Sequence, residues 1–234
     1  MYIKNLIKRL FKKKNQRIDA SINVFDLYKH ENIKACLEVF RRHFKTSSIF
    51  YKNLQTREHG INLALKNDFD QKFLYLEFGV FKGESINFFS NKLKTNIYGF
   101  DSFEGHSHDW PGTGTVAFNN HYNQNGKLPK VNSNVILIKG FVEDTLDNFL
   151  KEKKKEINFI HIDVDIYEPT YTILKLTKPY LINGSIIIFN ALYNYIGWDT
   201  GQYKALKEVY SEDEFIFKAF SARGPQVVIQ ICKR

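Results

Sequence analysis

From Lys72 onward, short runs of apolar residues alternate with amphipathic stretches. Five runs read as strands: 72–78 (KFLYLEF), 96–101 (NIYGFD), 134–139 (NVILIK), 157–163 (INFIHID) and 185–190 (SIIIFN). The stretches 84–93, 142–154, 169–180 and 201–211 carry the helical period and separate most of them. Strands apolar on both faces, joined by helical crossovers, predict an α/β fold: a mostly parallel sheet with helices on both faces. Two further runs, 214–220 (EFIFKAF) and 226–232 (QVVIQIC), flank Ser221-Ala222-Arg223-Gly224-Pro225 and predict an antiparallel terminal hairpin. Upstream, 26–44 and roughly 52–66 read as helices. The expected organisation is a tail (1–20), an N-terminal helical cap (21–70) and one main domain (71–234).

One connection breaks the rhythm. Residues 102–133 form a long Gly/Asn/His-rich link where a short helix is expected, and loops of that length in compact domains are usually lids or binding loops. Trp110 and the histidines His106, His108 and His121 fall in it.

Charge changes the picture only at one end. The chain of 234 residues carries a formal +9, but residues 1–17 hold seven Lys and Arg and no acid, so removing them from +9 leaves +2. The main body is nearly neutral, which argues against a nucleic-acid-binding surface. In the tail Ile3, Leu6, Ile7, Leu10 and Phe11 recur at helical spacing opposite the cations. That pattern suits peripheral membrane contact through residues 1–17; a frayed basic terminus, or a helix packed on a partner, fits it equally. No apolar stretch reaches the ~18 residues that a transmembrane helix needs. Two cysteines, Cys36 and Cys232, make no disulfide framework or metal motif, and the expected setting is cytoplasmic.

The candidate chemistry begins where the first strand ends, at Leu76-Glu77-Phe78-Gly79-Val80-Phe81-Lys82-Gly83-Glu84-Ser85. Two glycines four apart after a strand let the backbone turn tightly and approach a ligand at the next helix N-terminus. The loop matches neither the dinucleotide G-x-G-x-x-G nor the phosphate-binding G-x-x-x-x-G-K-[ST]. Glu77 at the strand end points instead to a ligand bearing positive charge. Asp101, ending the second strand, is placed to accept from a ribose diol. An acid, a G-x-x-x-G turn and a second-strand acid describe a site for S-adenosylmethionine, whose ammonium and sulfonium explain the acidic turn.

The stretches LEFGVFKGESI (76–86), YGFDSFEG (98–105), GFVEDTL (140–146), HIDVDIYEPT (161–170) and GWDTGQYKALKEV (197–209) resemble the macrocin O-methyltransferase-like family. The resemblance covers roughly residues 50–232 and implies a class I S-adenosylmethionine-dependent enzyme that methylates a sugar hydroxyl in glycan or natural-product biosynthesis. It implies a Rossmann-like methyltransferase fold, with seven strands in the order 3-2-1-4-5-7-6. By position, Glu77, Gly79 and Gly83 would line the methionine end of the cofactor. Asp101 would hold the ribose with Ser102 beside it, and Glu143 and Asp144 would lie near the adenine. Asp163 would be a magnesium ligand and Asp165 the general base.

The chain departs from the family at the end of the fifth strand. Relatives place two further acids there; this chain has Asn190 and Ala191, and Gln202 stands where many relatives have glutamate. Magnesium prefers hard, anionic oxygens in octahedral geometry. A site of Asp163 and Asn190 is therefore expected to be weak or absent, which leaves Mg2+ uncertain. Three readings follow: a sugar O-methyltransferase taking a small-molecule or glycan substrate, a catalytically impaired relative acting as a binding partner, and a nucleic-acid methyltransferase. The confinement of basicity to the tail disfavours the third. A homo-oligomer remains compatible with the sequence.

Overall fold

The computed structural model describes residues 23–105 and 122–233. The tail and the four lid residues named above lie outside them. Eight strands form one sheet: β1 (Ser48–Phe50), β2 (Leu74–Phe78), β3 (Ile97–Asp101), β4 (Val135–Lys139), β5 (Ile157–Ile162), β6 (Leu181–Phe189), β7 (Phe215–Ser221) and β8 (Val227–Ile231). Their spatial order is β1-β7-β8-β6-β5-β2-β3-β4. All neighbours are parallel except β8, which runs antiparallel to both β6 and β7. Without β1 this is the expected seven-strand order. The eighth strand corrects that count: Ser48–Phe50 pairs in parallel with β7 along its outer edge.

The helices are α1 (Val24–Phe44), α2 (Asn53–Asn67), α3 (Glu84–Ser90), α4 (Val142–Lys153), α5 (Tyr167–Thr177) and α6 (Gln202–Val209). They divide between the two faces, as continuously apolar strands require. On one face Ile61 and Ala64 of α2 and Ile86 and Phe89 of α3 pack with Tyr75, Phe159, Ile186, Ile188 and Val228. On the other, Phe40 of α1, Leu146 and Phe149 of α4, Ile173 of α5 and Leu206 of α6 cover Leu76, Ile160, Ile187 and Ile229. Tyr193 and Trp198 belong to this second core.

Two local differences from the sequence expectation have physical causes. β6 begins at Leu181, four residues before the expected start at Ser185, and runs through Asn183-Gly184. Gly184 at φ 88° lets the register of β5 and β6 slip there, and the side chain of Asn67 lies where a Cβ would stand. Helix α3 stops at Ser90 because the returning limb of the long loop meets it. The Asn132 amide donates to the Asn87 carbonyl at 3.3 Å and to Ser90 Oγ at 2.7 Å.

Candidate active site

A cleft of about 250 Å³ opens at the carboxyl ends of β2, β3 and β5, near the point where the strand order reverses. That is where open α/β sheets hold their ligands, because the loops leaving neighbouring strands diverge. The turn after β2 forms its floor. Gly79, at φ 85°, packs so closely on the next strand's exit that a Cβ would lie 2.1 Å from the Asp163 carbonyl oxygen. Gly83, at φ 83°, begins α3 and faces Val131 and Lys130 of the returning loop rather than the cleft.

Asp101 holds this turn in shape. Its Oδ2 accepts from the amides of Val80 and Phe81, each at 2.7 Å, and its Oδ1 accepts from Phe103 at 2.7 Å. Both oxygens line the loop through main-chain bonds, and the residue also borders the cleft. Ser102 lies beside it, donating to the Gly105 carbonyl at 3.1 Å and accepting from the Glu104 amide. Glu143, in the first turn of α4, borders the cleft next to Phe141; Asp144 is exposed and does not.

Glu77 lies beneath the floor and is fully buried. Ser85, which lines the cleft, donates its hydroxyl to Glu77 Oε1 at 2.7 Å. Glu77 Oε2 accepts no hydrogen bond, although His161 Nδ1 stands 3.4 Å away. Burial pushes the Glu77 carboxyl up to about 8, and burial holds His161 down at about 3, so the imidazole is neutral. His161 is a strand residue inside the sheet, paired in register with Glu77.

Asp163 and Asp165 leave β5 together on the opposite wall. Asp165 adopts φ 61°, a left-handed backbone that turns the chain sharply and brings its carboxyl beside that of Asp163. Burial first, and then the Asp163 charge, push Asp165 up to about 8. Asp163 is raised as well, chiefly by burial, with the Arg57 charge among the influences opposing this.

Arg57, on α2, has no counterpart in the sequence expectation. Its guanidinium Nη2 stands 3.7 Å from Asp163 Oδ2 and donates to Asn190 Oδ1 at 3.3 Å. The amide of Gln226 adjoins Asn190. Gln202 is fully buried: its Oε1 accepts from the Ala191 amide at 2.9 Å and its Nε2 donates to the Ile162 carbonyl at 3.3 Å. It therefore ties the ends of β5 and β6 and offers nothing to the cleft. Tyr122, at the start of the returning loop, also borders the site.

Five carboxylates (Glu84, Asp101, Glu143, Asp163 and Asp165) line the cleft against two cationic side chains, Arg57 and Lys82. With the under-satisfied Glu77 below, this fits a ligand that is cationic at one end, and Phe81 and Phe141 stand at its walls. The set does not fit magnesium. Beside Asp163 and Asp165 stand a neutral amide and a guanidinium, and the described residues contain no group of three His, Cys, Asp or Glu placed to hold a metal.

Residues 76–191 match the family model of a methyltransferase domain. This segment is a methyltransferase domain. It contains both walls of the cleft except Arg57. Among solved structures the chain is similar to the calicheamicin methyltransferase CalS11, with 23% identity and a TM-score of 0.60 over 97% of this chain and 90% of that one. The apo form of the same enzyme, described as a TDP-rhamnose 3′-O-methyltransferase, gives 24% identity and a TM-score of 0.57 over 97% and 92%. The O-methyltransferase NovP gives 17% and 0.55 over 77% and 79%. No curated protein matches. These likenesses bear out the Rossmann-like methyltransferase fold. Among the described residues no helix is long and apolar enough to cross a membrane.

Proposed function

We propose that the chain is an S-adenosylmethionine-dependent O-methyltransferase whose acceptor is a sugar hydroxyl. The observation that carries this reading is the carboxylate-rich cleft at the ends of β2, β3 and β5, set over a buried Glu77 that lacks a full complement of partners. The description of CalS11 as a TDP-rhamnose 3′-O-methyltransferase supports a nucleotide-linked sugar as the acceptor class.

S-adenosylmethionine supplies an electrophilic methyl group on a positively charged sulfur. Glu77, reached through Ser85, lies beneath the ammonium end, and its buried carboxyl takes on negative charge as it gives up its proton. Asp101 keeps the Gly79–Gly83 turn in the shape that receives it, with Ser102 beside the ribose and Glu143 near the adenine; Asp144 stays outside. A sugar hydroxyl is a very weak acid, so its proton leaves only as the oxygen–methyl bond forms. Asp165 takes that proton. Its raised affinity for protons makes it a stronger base than an ordinary carboxylate, and the ionised fraction grows as pH rises through about 8. Positioning of the acceptor supplies the rest of the rate.

The test is calorimetric titration with S-adenosylhomocysteine, followed by transfer of labelled methyl groups to a panel of nucleotide-linked sugars. Micromolar binding and labelling of a sugar hydroxyl are expected, with Asp165→Asn losing transfer by about 10²–10⁴-fold while still binding. Absence of binding overturns the reading. Binding without transfer to any sugar would favour a catalytically impaired relative that acts as a binding partner.

A further inference from the structure

We propose that the Arg57 guanidinium occupies the cation position of this cleft, so that the site works with a built-in positive charge where a divalent ion would otherwise stand. The inference rests on the methyltransferase reading above and concerns a residue outside the matched domain.

The placement of Arg57 is built into the packing. Gly60, one turn further along α2, leaves no room for a Cβ: it would lie 2.6 Å from Ile188 Cδ1. The helix therefore lies directly on β6, and Arg57 reaches past the end of that strand to Asn190. Its side chain is only 18% exposed and that of Asp163 22%, so the two charges face each other largely withdrawn from water. A guanidinium stays protonated throughout the working pH range, and its planar fork directs several donors at once.

The neighbouring positions are consistent with this exchange. Asn190 accepts from Arg57, and its neutral amide leaves the guanidinium to pair with Asp163. Ala191 brings no side-chain donor, and both ends of the Gln202 amide are engaged with main chain. A divalent ion bound to Asp163 would sit against a fixed positive charge with one or two carboxylates to hold it. A guanidinium cannot draw electrons from an acceptor oxygen through a coordinate bond. It can orient Asp163 and the acceptor's oxygen substituents by hydrogen bonds, which leaves proton removal to Asp165.

Manganese, followed by its paramagnetic resonance signal, is the probe, because its binding needs no knowledge of the acceptor. The wild-type chain is expected to bind no Mn2+ below millimolar concentration, with or without S-adenosylhomocysteine. Asn190→Asp with Ala191→Asp restores two acids but retains Arg57. Adding Arg57→Gln to that pair should tighten Mn2+ binding at least tenfold. Thermal unfolding checks that each variant folds, and Arg57→Lys in the same background keeps the charge if the glutamine variant does not. In that case the lysine variant should bind Mn2+ no more tightly than the pair retaining Arg57. Micromolar binding by the wild type overturns the proposal. So does equal affinity with and without Arg57, a lysine variant that binds more tightly than the arginine pair, or no binding by any folded variant. Failure of the wild type to bind S-adenosylhomocysteine would instead count against the methyltransferase reading, and it is read in a separate titration.

Discussion

Glu77 shows how a single buried carboxyl couples the site to pH. Its folded-state value of about 8 lies above the ordinary 4.5, so between those limits the folded chain keeps a proton that the unfolded chain has released. Stability from this group is therefore present at low pH and is lost as pH rises towards 8. Glu77→Gln removes the titration while leaving an oxygen to accept from Ser85. The slope of unfolding free energy against pH, measured in urea between pH 5 and 8, should be shallower in the variant by about 1.4 kcal/mol per pH unit. Identical slopes would show that Glu77 is ionised in the folded chain. The residues of the first turn and of Asp163-Val164-Asp165 were legible because their spacing is local: a strand, two glycines and acids at strand ends. The role of Asp101 was only half legible, since nothing in the chain order reveals that its oxygens face three main-chain amides. Arg57 left no signal at all. It is one cation on a helix of weak pattern, and only the approach of α2 to β6 gives it a place.

At the scale of elements, apolar period and turn residues located every helix of the described residues and seven strands to within a few residues. The exceptions are places where tertiary contact overrides local pattern. Ser48–Phe50 is too short for any period and becomes a strand only because β7 offers an unpaired edge. Helix α1 is the opposite case, with a clear helical pattern and few buried residues. Of its 21 residues only Cys36 and Phe40 are buried. Phe40 makes edge-on ring contacts with Tyr193, Trp198, Tyr203, Phe217 and Phe220. Phe40→Ala should cost about 3–5 kcal/mol by leaving a cavity among those rings. Hydrogen exchange should show the loss concentrated in α1 and its partners, with β2 and β5 retaining protection. Uniform loss across the sheet would mean that α1 folds as one unit with the rest.

For the whole molecule, the sheet order follows from the alternation of strands and helices, and with it the location of the cleft. What the order of elements does not convey is how much the region before residue 71 adds to both. Helix α2 supplies a layer of one core and the Arg57 guanidinium of the site, and β1 covers the outer side of β7. A chain shortened to 71–234 would lose all three at once. The consequence concerns solubility as much as catalysis. Without β1, the main-chain groups of β7 that it pairs would face water beside Phe215, Phe217 and Phe220, an open template for another chain of the same kind. Such a fragment should self-associate at concentrations where the full chain does not, and light scattering on the two would reveal it. A short fragment of three residues thus protects the protein from its own copies.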